Sequence, residues 1–319
     1  MSYTMHSHPV QNKSFSSLGK RTKYRIIIFA ILAIIVFLIA KRNYYDAHIY
    51  FYIKSHYHQS TWEGKSRWLP HYKVITEAKQ IKGIKDNLSS IVYDPDLDRF
   101  LAVTNGDPTA LIALDKSGEI IGIFPLRGFG DVEGLAYMGN GRVAVVDERT
   151  HQLSFFLLPN TPRTIEIKEA QFISLGIDLS GNKGFEGITY DREGDRFFIV
   201  KERDPRQLYE ISGVGASLEG DMQIQIKDLT DWVKDRVFAT DLSDIYFDPG
   251  TGHLFILSDE SKLLMEMTDQ GEMVSFRSFN RWFSDLRKSA PQVEGLTFDS
   301  DGNLYVVSEP NLFYVFRRQ

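Results

Sequence analysis

VEGLTFDSDGNLYVVSE, residues 293–309, reads as an apolar lead, a short alternating strand ending in an aromatic residue, a Gly/Asp turn and a second strand rich in Val, Tyr and Leu. That is the pattern of a β-hairpin. It occurs four more times upstream: LSSIVYDPDLDRFLAVTN (88–105), VEGLAYMGNGRVAVVDE (132–148), FEGITYDREGDRFFIVKE (185–202) and LSDIYFDPGTGHLFILSD (242–259). A third apolar stretch follows each hairpin, at 110–114, 152–156, 207–211, 263–267 and 312–316. A fourth follows the first four hairpins, at 120–125, 171–177, 222–226 and 273–279. Four short antiparallel strands recurring at intervals of 44 to 57 residues define propeller blades. A β-sandwich does not require one hairpin pattern to recur five times. The fifth unit reaches Gln319 after its third strand, and the strand-like YKVITEAKQI (72–81) is placed to supply the fourth. The expectation is an all-β, five-bladed β-propeller over residues 72–319, with an N-terminal strand closing the last blade.

Upstream of the propeller the composition changes. The chain has 319 residues, 43% hydrophobic and 25% charged, which describes a folded protein. The net charge of −5 divides into +8 for residues 1–71 and −13 for the remainder. So acidic a body repels phosphate backbones, which argues against nucleic acid and favours cations as partners. There is no cysteine, so thiolate metal sites, iron–sulfur clusters and cysteine nucleophiles are excluded.

The run IIIFAILAIIVFLIA (26–40) lies between Lys20, Arg21, Lys23 and Arg25 on one side and Lys41 and Arg42 on the other. As a helix it covers roughly 22 Å, short of the ~30 Å hydrocarbon core unless flanking side chains snorkel. A cleaved signal peptide is the other reading, but no small-x-small site precedes Lys41. The first 25 residues hold five Lys and Arg and no acid, so the positive-inside rule keeps them cytoplasmic and exports the chain beyond residue 42. The expected organisation is a basic cytoplasmic tail (1–25), a transmembrane anchor (26–42), a juxtamembrane connector without clear period (43–71) and the propeller. Tyr44, Tyr45, Tyr50, Phe51 and Tyr52 are placed to lie at headgroup level. His48, His56 and His58 are read as linker residues rather than a metal tract.

Aligning the repeats brings two positions into register. At the start of the innermost strand stand Ser89, Glu133, Glu186, Ser243 and Glu294; at the end of the next strand stand Asn105, Glu148, Glu202, Asp259 and Glu309. Innermost strands of a propeller run along its central channel, so equivalent positions form rings, and seven carboxylates and one amide are expected to converge there. Crowded carboxylates raise one another's pKa values unless a cation neutralises them. Oxygen-only donors point to a hard ion, and a wide, flexible ring suits Ca2+ better than Mg2+. Gly134, Gly187 and Gly295, each following a ring Glu, would let backbones crowd the axis. The competing reading is a polar channel around water, with Arg149, Arg203 or Lys201 pairing some of the acids.

The E-G-[IL]-x-[YF] strands, the DER, KER and SEP strand ends and the closing SEPNLFYVF resemble the bacterial SdiA-regulated family over roughly residues 72–319. The resemblance implies a five-bladed propeller with a Ca2+ site, anchored in the inner membrane and facing the periplasm, with Glu133, Glu186 and Glu294 as candidate ligands. Ser89 and Ser243 depart from that pattern, although Asp244 is near enough to reach inward. Two functions fit: a Ca2+-stabilised module that binds a protein or glycan across one face, or a Ca2+-dependent hydrolase of an ester, lactone or phosphoester with Glu148 or Glu202 as base. No catalytic residue is assigned. The segments at 94–98 and 299–303 look like calcium-loop starts but lack the required Gly and Glu, and read as hairpin turns. Residues 228–238 and 280–288 are expected as short helical excursions.

Overall fold

Turn chemistry sets the hairpins. Asp94 Oδ1 accepts from the amide of Asp96 (3.1 Å), Asp191 Oδ1 from that of Glu193 (3.1 Å), and Asp299 Oδ1 from those of Asp301 (3.0 Å) and Asn303 (2.8 Å). The calcium-loop look-alikes are therefore Asx turns. Arg99 and Arg196 pair with the first two of these aspartates across their own turns, at 2.8 and 2.7 Å.

The computed structural model describes residues 19–319 apart from 107, 177–183 and 238. The basic tail up to residue 18, Ile177 and Phe238 lie outside the described residues. Two units divide the chain, one up to Asp46 and one from Ala47 onward. The first contains α1, Lys20–Arg42, with no buried residue. Its 23 residues give about 35 Å, longer than the apolar run alone because the flanking basic residues join the helix. This helix is long and apolar enough to cross a membrane, and a signal sequence meets the same description.

The second unit begins in α2, Tyr45–Trp62, and continues through β1, Tyr72–Gln80. Blade 1 comprises β2 (Leu88–Asp94), β3 (Arg99–Thr104), β4 (Ala110–Leu114) and β5 (Ile120–Arg127). Blade 2 comprises β6 (Val132–Gly139), β7 (Arg142–Asp147), β8 (Gln152–Leu157) and, after the two-residue β9 (Ile165–Glu166), β10 (Gln171–Ser174). Blade 3 is β11 (Phe185–Asp191), β12 (Arg196–Lys201), β13 (Gln207–Ser212), the short helix α3 (Val214–Glu219) and β14 (Gln225–Asp228). After α4 (Thr230–Arg236), blade 4 is β15 (Asp244–Asp248), β16 (His253–Ser258), β17 (Leu263–Met267) and β18 (Met273–Ser278). Blade 5 is β19 (Gln292–Phe298), β20 (Leu304–Glu309) and β21 (Leu312–Arg318), completed by β1, which runs antiparallel to β21 from Tyr72 opposite Arg318 to Gln80 opposite Leu312. The five-bladed architecture and its closure by N-terminal sequence are as the repeats foretell.

Apolar side chains fill the seams between blades. One cluster joins blades 4 and 5 around Phe255, Phe298 and Phe316; others join blades 2 and 3, 5 and 1, and 1 and 2. The segment leading into β1 is tied to blade 4. Glu266 on β17, fully buried, accepts from the amides of Arg67 (2.9 Å) and Trp68 (3.1 Å) and from Ser275 Oγ (2.6 Å), with His253 Nδ1 at 2.9 Å. Arg67 forks onto Asp248 at 2.9 and 2.7 Å.

Three elements differ from the sequence reading. The connector is a helix, α2, whose buried side is Ala47, His48, Phe51 and Ser55. Only Phe51 is a large apolar residue, so the stripe is faint in the sequence. Phe51 packs on Phe276 at 5.7 Å, which removes it from the headgroup set. Residues 280–288 form turns rather than a helix, and the outer strand of blade 3 begins at Gln225 because α3 takes up the chain before it.

Replacing Glu266 with Ala removes the acceptor shared by the Arg67 and Trp68 amides and Ser275 Oγ, and the partner of His253 Nδ1. We expect a loss of about 3–5 kcal/mol in urea unfolding, against less than ~1 kcal/mol for Glu119→Ala at the exposed Lys79 pair.

Candidate metal centre

A register shift falls at the first ring position in four of the five innermost strands: between Leu88 and Ser90, Val132 and Gly134, Phe185 and Ile188, and Val293 and Gly295. Each shift leaves Ser89, Glu133, Glu186 or Glu294 out of the ladder, and such a bulge re-aims the side chain. Strand β15 pairs in register from Asp244 opposite Leu257, with no such shift. The glycines allow the strands to approach. A Cβ on Gly134 would stand 2.4 Å from the Glu186 carbonyl, one on Gly187 2.6 Å from Asp244 Cα, and one on Gly295 2.8 Å from the Ile91 amide. Each contact is with the innermost strand of the next blade.

Glu133, Glu186 and Glu294 of the first ring and Glu148, Glu202, Asp259 and Glu309 of the second line one cavity of about 410 Å3. Asn105 serves them indirectly by donating its side-chain amide to Glu133 Oε1. Ser89 and Ser243 reach the wall of the cavity, and Ser243 Oγ donates to the Val293 carbonyl at 2.9 Å. Asp244 does not turn inward. Its Oδ2 accepts the Leu296 amide at 2.9 Å, strapping blade 4 to blade 5.

Symmetry is broken toward blades 2 and 3. One oxygen each from Glu148, Glu186 and Glu202 lies within 4.8 Å of the others, and the same holds for Asp131, Glu133 and Glu148. Some of these acids already have partners. Arg149 pairs with Asp131, and Arg203 pairs with Glu260 and, at 3.1 Å, with Glu202. The Gly184 amide donates to Glu148 at 3.2 Å. On the far wall Asp259 takes Lys262 Nζ (2.9 Å) and the Val293 amide (3.0 Å). Glu186 and Glu294 accept no hydrogen bond among the described residues, although both are withdrawn into the bore.

Their electrostatics reflect that position. Burial, and then repulsion from Glu133, Glu148, Glu202 and Glu294, pushes the Glu186 carboxyl well above the usual carboxylate range. Burial, followed by Asp259 and Glu309, does the same to Glu294. Glu133 is pushed up to about 7, mainly by burial, with Asp131 and Glu148 adding to the rise and Ser89 and Asn105 opposing it. Four or more acids around one space, with hard oxygen donors and two carboxylates that accept no hydrogen bond among the described residues, form a set that a hard cation can bridge.

Sequence reading missed Asp131, Asp241 and Gln292. All three stand two residues before the first ring, on the same face by the two-residue period of a strand, and the repeat alignment carries that signal. Asp241 and Gln292 line the cavity. Asp241 also accepts from Ser258 Oγ and from the amides of Asp259 (2.9 Å) and Glu260 (3.1 Å), fixing the turn that presents Asp259.

These features define a class: a five-bladed propeller with an acid-lined bore. A family model for SdiA-regulated proteins matches residues 64–317, and the chain belongs to that family. Among solved structures, a luciferin-regenerating enzyme aligns at 11% identity and a TM-score of 0.44, covering 76% of this chain and 95% of that one. A Bacteroides thetaiotaomicron protein of unknown function aligns at 13% identity and a TM-score of 0.47, covering 73% of this chain and 59% of its own length.

In the absence of metal, folded Glu133 keeps a proton between pH 4.5 and about 7 that the unfolded chain releases, so stability falls as pH rises through that window. We expect the thermal midpoint in EDTA to drop from pH 5 to pH 8, and to drop less in Glu133→Gln and Glu186→Gln. A midpoint that is flat or rising in the unsubstituted protein contradicts the crowding.

Proposed function

We propose that this chain is a membrane-anchored, exported propeller whose bore holds a calcium ion, and that it acts as a binding module. On this reading α1 is retained as an inner-membrane anchor and the propeller faces the periplasm. The observation that carries the ion is Glu186: a recessed carboxylate, within 4.8 Å of two others, that accepts no hydrogen bond among the described residues. Glu148, Glu186 and Glu202 would hold the ion, with Glu133 beside them. Oxygen-only donors and the size of the cavity favour Ca2+ over Mg2+. The cavity would leave part of the coordination sphere open to a polar group of a protein or glycan partner at the mouth of the bore.

A calcium-dependent hydrolase is the second reading, favoured by one observation. Glu294 faces the same cavity, stands outside both acid clusters and has its pKa raised, which suits a proton donor. Glu148 and Glu202, the bases suggested by the sequence, fall within the ion cluster, which weakens that version of the enzyme.

Calcium at one hundred times its Kd adds about 2.7 kcal/mol to the stability of a protein that binds it only when folded. We expect millimolar calcium to raise the thermal midpoint of the full chain in detergent relative to EDTA, and Glu186→Gln to abolish the rise. An unchanged midpoint removes the ion. Chromogenic esters, lactones and phosphoesters separate the two functions: metal-dependent turnover that Glu294→Gln abolishes, with the calcium shift intact, establishes the hydrolase, and no turnover leaves the binding module.

A further inference from the structure

Helix α2 has two faces, and the fold uses one. Ala47, His48, Phe51 and Ser55 face the propeller, with His48 stacked on Phe283 at 4.6 Å and Phe51 against Phe276. The opposite side of a surface helix is ordinarily polar. Here it carries Ile49, Tyr50, Tyr52, Ile53 and Tyr57, with Ile53 59% and Tyr57 84% exposed. Trp282, 66% exposed, and Phe283 extend the patch from the turn after β18. Between helix and turn lies a groove of about 580 Å3, lined by Tyr52, His56, His71, Lys73, Trp282 and Phe283 among others.

We propose that the outer face of α2, together with Trp282 and Phe283, is a lipid-facing surface that sits in the headgroup layer, with a lipid headgroup in the groove. The inference rests on α1 being a membrane anchor. Three observations select lipid as the occupant. Only Asn43 and Tyr44 separate α1 from α2, so a bilayer entered by α1 is within reach of the second helix. The exposed residues are Tyr, Trp and Ile, the composition of a membrane interface, where one end of the ring is wet and the other apolar. The helix has no acid from Ala47 to Trp62, while Lys54, His56 and His58 on it and Lys73 beside the groove offer charge and donors to anionic headgroups. The single acid in the groove wall, Asp285, is held by Arg277 and by the Val74 amide at 2.7 Å.

The test uses the full chain in nanodiscs of mixed zwitterionic and anionic lipid, with and without bromine on the upper acyl carbons. Tryptophan emission is measured, and Trp282→Phe isolates the share of that ring. Bromine is expected to remove roughly half of the Trp282 emission, because an interfacial ring lies ~5–10 Å into the headgroup boundary. The double variant Ile49→Ser, Ile53→Ser is expected to reduce that quenching. A Trp282 share untouched by bromine but quenched by acrylamide overturns the proposal, since the ring is then in water. A share shielded from both, with self-association that rises with concentration, also overturns it and assigns the patch to a second copy. A chain that fails to enter the discs overturns the anchor reading itself, an outcome distinct from an anchored chain with a water-exposed Trp282.

Discussion

Five innermost strands must pass a common axis more closely than side chains allow, and much else in this molecule stems from that restriction. At Gly134, Gly187 and Gly295 the backbone of one blade touches the backbone of the next where a Cβ would stand 2.4–2.8 Å from it. At the residue before each of these glycines the ladder shifts register, and the side chain released by the shift is a glutamate. Close packing of the strands and convergence of like charge are thus one event. The electrostatic cost is large. Two ionised carboxylates 4.8 Å apart repel by about 3.5 kcal/mol at an effective dielectric of ~20, and three such pairs rival the whole stability of a typical domain. Protonation, arginine or a bound cation must relieve it, and the raised pKa values at Glu133, Glu186 and Glu294 mark where arginine does not suffice.

Blade 4 shows what happens when the pattern is relaxed. With Ser243 in place of glutamate and no shift in β15, the next acid, Asp244, is fully withdrawn and serves as a strap to Leu296. The first-ring charge is absent from that wall, and the two close clusters of acids form on blades 2 and 3, while Asp259, Glu294 and Glu309 line the cavity apart from them. Nominal symmetry therefore yields a one-sided site, in which Arg203 bridges Glu202 and Glu260 at the edge of the cluster instead of neutralising its centre. The arginines raised as competitors in the sequence do pair with acids, but with Asp131, Glu202 and Glu260 and not with Glu186 or Glu294.

The hairpins were readable because turn residues and strand alternation act over a few residues, and repetition multiplied a weak local signal five times. The two acidic positions were readable for the same reason, and Asp131, Asp241 and Gln292 sat in the same alignment two residues upstream. Helix α2 was not readable. Its contact face is Ala, His, Phe and Ser, too weak in hydrophobic contrast to show a helical period, and its place is decided by Phe276 and Phe283, more than two hundred residues away. The two-residue β9, which pairs in parallel with β5, is likewise a product of packing with no sequence period of its own.

By itself the sequence determined the number of blades, the closure of the ring by Tyr72–Gln80, the apolar α1 and the seven ring acids that line the bore, because each depends on local propensity and on repetition. Only the tertiary structure decided which of those acids approach one another, which are answered by a backbone amide or an arginine, and which are left without a donor. Those outcomes depend on how closely the blades approach, which is set by bulges and by glycine contacts across the ring. Residues equivalent in a linear repeat become inequivalent once the ring closes, because each blade meets different neighbours.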